Sequence, residues 1–160
     1  MPFSELILRL GLAMLFGAIV GIDRQLRRKS AGMRTMMLVA LGSATFVLLP
    51  LLTMGTDKQP MSSADTSRII QGIVGGIGFL GAGVVMHSGL RVAGITTAAA
   101  IWVTAAVGVA FGLGEFRLAC VAGTGTIITL SVVILFEQAI FRNRDGEEEH
   151  ASMNGTKRPE

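Results

Sequence analysis

Five apolar stretches, at about residues 5–22, 33–54, 68–86, 92–112 and 118–141, occupy most of this 160-residue chain. Crossing about 30 Å of hydrocarbon takes roughly 20 residues at 1.5 Å per helical residue, so each stretch is long enough to span a bilayer with some tilt. Hydrocarbon offers no water to a backbone N–H or C=O, and a spanning segment must pair its own backbone groups as a helix or close into a barrel. Long unbroken apolar runs without period-two alternation choose the helix. The expected fold is therefore all-α, a polytopic bundle of about five transmembrane helices. Composition agrees, with 51% apolar and 16% charged residues. One transmembrane domain covers residues 1–142, and a polar tail of mixed charge without apolar periodicity, expected to be disordered, covers 143–160.

The amino terminus carries Glu5 rather than a basic leader, and its apolar run ends in a basic cluster, so the first span reads as a permanent helix rather than a cleaved signal. The loop "DRQLRRKSAGMR" holds Arg24, Arg27, Arg28, Lys29 and Arg34 against Asp23. By the positive-inside rule it is cytoplasmic, which puts the amino terminus outside, the "HSGLR" turn inside, "LGEFR" outside and the tail inside. Membrane topology thus accounts for the positive charge, and nucleic acid is not an expected partner. Asp23, Arg24, Arg34 and Arg91 then belong to the inner face, while Glu5, Arg9, Asp65 and Arg68 belong to the outer one. Asp65 is placed to cap the third span. Arg9 either snorkels to the interface or pairs with Glu5, four residues earlier, or with Asp65.

Small residues organise the spans. Ala13, Gly17 and Gly21 form one ridge of the first helix, the small-xxx-small pattern of close membrane packing. The third span, "GIVGGIGFLGAGVVM", gathers Ile70, Ile73, Ile77, Leu80 and Val84 on one face. Gln71, Gly72, Gly75, Gly78, Ala82 and Gly83 fall mostly opposite. Gly72, Gly75, Gly76, Gly78, Gly81 and Gly83 are therefore candidates for close packing or partner contact. The expectation is a central packing helix with its bulky face to lipid and its glycine face to protein. In the fourth span Thr97, Ala100, Thr104 and Gly108 share a side, and threonine hydroxyls in this and the fifth span are expected to bond their own preceding carbonyls or a neighbouring helix. Trp102 lies mid-span, suited to packing or to lipid.

No catalytic set assembles from these residues. His87 lies in a turn, His150 in the tail and the single cysteine, Cys120, at an outer helix boundary, so no enzyme, no metal site and no cofactor is expected. Magnesium is held through carboxylates or other oxygens, and no carboxylate lies mid-membrane. Two other function classes remain, a regulatory protein that binds a membrane partner or a second copy of itself, and a transporter or channel for magnesium or another ion.

The blocks "LGLAMLFGAIVGIDRQLRRKSAGMRTMMLVALGSATF", "DTSRIIQGIVGGIGFLGAGVVM" and "GITTAAAIWVTAAVGVAFGLG" resemble, in order and spacing, the membrane domain of the MgtC/SapB family. The resemblance covers roughly residues 5–140 and picks out Asp23, Arg24, Gly32, Arg34 and Thr35, then Asp65, Arg68, Gly76, Gly78, Phe79, Gly81 and Gly83, then Gly94, Thr96, Thr97 and Trp102. Asp23 stands where the family usually has glutamate, and Ser30 where proline is common. The cytoplasmic carboxy-terminal domain of the virulence-associated members has no counterpart here, so roles that depend on it are not implied. The resemblance implies a bacterial inner-membrane protein connected with magnesium limitation and, in pathogens, with virulence. It further implies a membrane partner, since one family member restrains the membrane part of the F-type ATP synthase.

Overall fold

A computed structural model describes residues 1–54, 62–88 and 91–133. The polar tail expected at 143–160 and the end of the fifth span lie outside the described residues. The order is α1 (Phe3–Leu26), α2 (Met33–Met54), α3 (Ser63–Val84), a two-stranded hairpin of β1 (Met86–Ser88) and β2 (Arg91–Ala93), α4 (Ile95–Leu113) and α5 (Phe116–Ile128). The helices α1 to α4 are each long and apolar enough to cross a membrane, as the sequence requires. Residues Met1–Thr126 form one compact unit; a second begins at Ile127 and continues through a π-helical turn, Thr129–Val133.

Three helices make the core of the first unit. On α2, Met36, Ala40 and Ala44 meet Thr104, Gly108 and Gly112 of α4, with partners a constant 68 residues apart, so α2 and α4 run parallel in fixed register over two turns. A Cβ at Gly108 would stand 2.5 Å from the Ala40 carbonyl oxygen, and one at Gly112 would stand 2.8 Å from that of Ala44. The helix α1 runs antiparallel to both. Its Gly17 lies against the Met36 backbone, where a Cβ would come within 2.5 Å of the carbonyl oxygen, and its Gly21 lies against the Met33 backbone. Ala13, Val20, Met36, Ala40, Ala44, Ile101 and Thr104 are enclosed among these three helices. Lipid supplies no hydrophobic push between helices, so backbone approach of this kind is what holds them together. On α5, Gly123 faces the ring of Phe16.

The third helix departs from expectation. Far from being central, α3 has no buried residue. Its bulky stripe turns inward: Ile70, Ile73 and Ile77 lie beside Trp102, Ala105 and Val109 of α4. Gln71, Gly75, Gly78 and Ala82 are exposed on the outside, the reverse of the expected orientation. A Cβ on Gly72, Gly75, Gly76, Gly78 or Gly83 would meet nothing within 4 Å, and one on Gly81 would touch only the Ala98 methyl at 3.7 Å. The physical reason is that α4 presents Trp102 and Val109 with alanines between them, and large isoleucines gain more dispersion contact on that surface than bare backbone does.

Helix ends follow their local chemistry. Ser62 and Asp65 form a reciprocal capping box at the start of α3, the role foreseen for Asp65. The expected inner turn is a tight hairpin, pairing Met86 with Ala93 and His87 with Val92. It hands the chain to α4 through Gly94 at φ +93°, packed on the Val84 carbonyl. A side chain there meets both a left-handed backbone and a collision. Gly94→Ala is expected to cost about 1–3 kcal/mol, measured as a lowered unfolding temperature in detergent; an unchanged midpoint would show that this turn relaxes freely.

Candidate functional site

Two arginines of α1 bond α4 at its opposite ends. Arg9 donates from Nη1 to the carbonyl of Gly112 at 2.8 Å and from Nη2 to Glu5. Arg24 donates from Nη2 to the hydroxyl of Thr97. The paired residue numbers have the same sum at both ends, which fixes α1 and α4 as antiparallel neighbours over roughly 22 Å. The choice left open for Arg9 resolves to Glu5 together with a helix carbonyl. Basic charge at the last turn of α4 also suits the helix dipole.

The end that carries the basic loop is the more unusual. Arg24 has 0% of its surface exposed. It projects from the last turns of α1 onto the first turn of α4, whose N-cap is Gly94 and carries no side-chain cap. Among the described residues, its Nε and Nη1 have no hydrogen-bond partner. The neighbouring Asp23 carboxylate accepts from Arg27 Nε at 2.9 Å. Nearby, Gly21 brings the start of α2 against α1, and Ala31 in the connecting loop is buried. Arg34 is exposed at the start of α2, and Arg91 lies in β2. Deeper in the core, the buried Thr104 hydroxyl donates to Met36 Sδ at 3.7 Å.

Arg68 is exposed on α3, and Asp65 beside it is engaged in the cap. Of the residues expected at the outer face, Glu5 and Arg9 form one cluster and Asp65 with Ser62 another. Between α2 and α3 an open apolar groove of about 840 Å³ is lined by Leu38, Phe46, Pro50, Gly72, Gly76 and Ile77 among others. Gly72 and Gly76 thus face the groove, whereas Gly75 and Gly78 face outward. Ala13, Gly17, Gly21, Thr97 and Thr104 all lie in the three-helix core. Gly112 and the α2 ridge of Met36, Ala40 and Ala44 were not foreseen from sequence. Their four-residue spacing was the available signal.

The chain matches the MgtC family over residues 10–139. It is 46% identical over 131 residues to protein SrpB of Synechococcus elongatus, covering 77% of this chain and 71% of that protein. It is 46% identical over 136 residues to protein MgtC of Salmonella typhimurium, covering 85% of this chain and 54% of that one. A putative magnesium transporter, YhiD of Escherichia coli, is 38% identical over 143 residues, covering 87% of this chain and 64% of YhiD. The chain thus spans about half the length of the Salmonella relative. No solved structure matches it. With the family matched from the first helix to the fifth, the chain belongs to the MgtC family.

Proposed function

We propose that this is a multi-pass regulatory protein of the bacterial inner membrane, serving adaptation to magnesium limitation or virulence by binding a membrane partner through the outer face of α3. The membrane part of an F-type ATP synthase is the partner that family resemblance suggests, and a second copy of the chain is the alternative occupant. The supporting observation is the inverted orientation of α3. Its isoleucines are spent inside the unit, and Gly75 and Gly78 present bare backbone outward, with nothing within 4 Å of where a Cβ would stand. Such a surface admits a second helix at close range. The description of the relative YhiD as a putative magnesium transporter supports the link to magnesium.

The test is co-purification from detergent-solubilised native membranes. Leucine at both Gly75 and Gly78 is expected to leave insertion and melting temperature unchanged and to reduce partner recovery at least tenfold. Undiminished recovery with the folded double variant would remove the reading.

A second reading, ion transport, is favoured by the description of YhiD as a putative magnesium transporter. Among the described residues no group of three His, Cys, Asp or Glu side chains could hold a metal ion. The α2–α4 interface is also closed by the approach of Gly108 to Ala40. Purified protein in liposomes decides between the two: magnesium flux that depends on the protein and is lost with Asp23→Asn would establish transport. Neither reading involves catalysis.

A further inference from the structure

We propose that Arg24 and the first turn of α4 form a binding site for a phosphate oxyanion, carried by either a lipid headgroup or a soluble phosphate. This site uses no part of the α3 surface and is independent of the partner proposed above.

Two independent observations meet at this point. The first is the helix end. A helix start leaves its first backbone N–H groups without intrahelical acceptors and carries partial positive charge, and such ends bind phosphate readily. Most helices blunt this with an acceptor side chain. In α4 the N-cap is Gly94, no side chain caps it, and its first turn, Ile95–Thr96–Thr97, contains no acidic residue. The start of α3 shows the contrast, for there Ser62 and Asp65 satisfy each other's backbone donors.

The second is the guanidinium set on that same turn. Arg24 is fully enclosed, and only its Nη2 is bonded, to Thr97 on the first turn of α4. Its Nε and Nη1 hold donors that no described residue accepts. Enclosed donors left unbonded are costly, and oxygens of a bound oxyanion would relieve that cost. Guanidinium matches phosphate oxygens in charge and geometry. Asp23, next in sequence, accepts from Arg27 at 2.9 Å and acts on Arg24 through its charge, while Nε and Nη1 of Arg24 still have no acceptor among the described residues. Thr96 is exposed beside the buried Thr97, so the turn has an outer side from which a ligand can approach. Arg27, Arg28 and Lys29 follow directly in the chain and give this end of the bundle an attractive field for anions.

The full chain, purified in a neutral detergent, is titrated with three probes: phosphatidylglycerol, diacylglycerol of the same acyl chains, and inorganic phosphate. Native mass spectrometry counts lipid adducts, and calorimetry follows phosphate. One saturable site is expected for phosphatidylglycerol or for phosphate, and none for diacylglycerol. Saturation by phosphatidylglycerol alone identifies a lipid headgroup, whereas saturation by phosphate identifies a soluble ligand. Two variants test the residues. Thr96→Glu places a carboxylate on the exposed side of the first turn, where it suits the dipole and competes with an incoming anion. It is expected to fold normally and to weaken binding at least tenfold. Arg24→Met removes the donors and is expected to weaken binding to the same extent. If neither phosphate-bearing probe saturates on the wild-type chain, or if Thr96→Glu binds as tightly as wild type, the site does not exist.

Discussion

Leucine at Gly17 or Gly108 is expected to abolish recovery of folded protein, whereas leucine at Gly75 or Gly78 leaves it intact. At Gly17 and Gly108 a Cβ alone would stand 2.5 Å from a backbone carbonyl oxygen, that of Met36 or that of Ala40. Backbone cannot swing aside as a flexible side chain can, so α1 or α4 must move away from α2 along its length. The cost is about 3 kcal/mol or more, comparable with much of a small domain's net stability. Separation also forfeits the dispersion attraction that holds helices together in lipid. At Gly75 and Gly78 the added side chain enters open space. Size-exclusion profiles and melting curves of the four variants in one detergent check this. Equal damage at all four positions would mean that the glycine face of α3 is packed against the bundle.

The second large effect concerns Arg24, where two substitutions should separate charge from bulk. Arg24→Ala is expected to lower stability by about 2–4 kcal/mol, because it empties the space between α1 and α4 and removes the bond to Thr97. Arg24→Met keeps most of the volume and removes an enclosed cation with free donors. Methionine fills most of the arginine's volume and Asp23 keeps its ion pair with Arg27, so this variant should melt within about 1.5 kcal/mol of wild type. Melting curves in phosphate-free, delipidated detergent are the appropriate comparison. If methionine destabilises as severely as alanine, the arginine holds the bundle together by itself and needs no anion.

Much of the bundle could be read directly. Run lengths located the spans, three- and four-residue spacing located the Gly17–Gly21 and Thr97–Thr104 ridges, and short-range charge pairing put Glu5 among the partners open to Arg9. Each depends on local sequence alone. The orientation of α3 could not be read this way. In water a bulky stripe marks the inside, but lipid tails are as apolar as isoleucine, and a helix with one large face and one small face has no solvent preference between them. The decision fell to the surface of α4, a long-range property. The same holds for Arg24. Its position in a basic loop suggested a cytoplasmic charge, yet it is fully buried and bonds Thr97 on α4, a partner 73 residues away.

The outward turn of the α3 glycines decides whether this helix can receive a partner. A photoreactive residue placed in native membranes, in turn, at Gly75, Gly78, Ile73 and Ile77 tests it directly. Crosslinks from Gly75 and Gly78 are expected to give adducts of higher mass, to a second chain or another membrane protein. Those from Ile73 and Ile77 are expected to stay within the chain, on α4 or α2. Intrachain products from the glycine positions together with external adducts from the isoleucine positions would contradict the orientation and the function drawn from it.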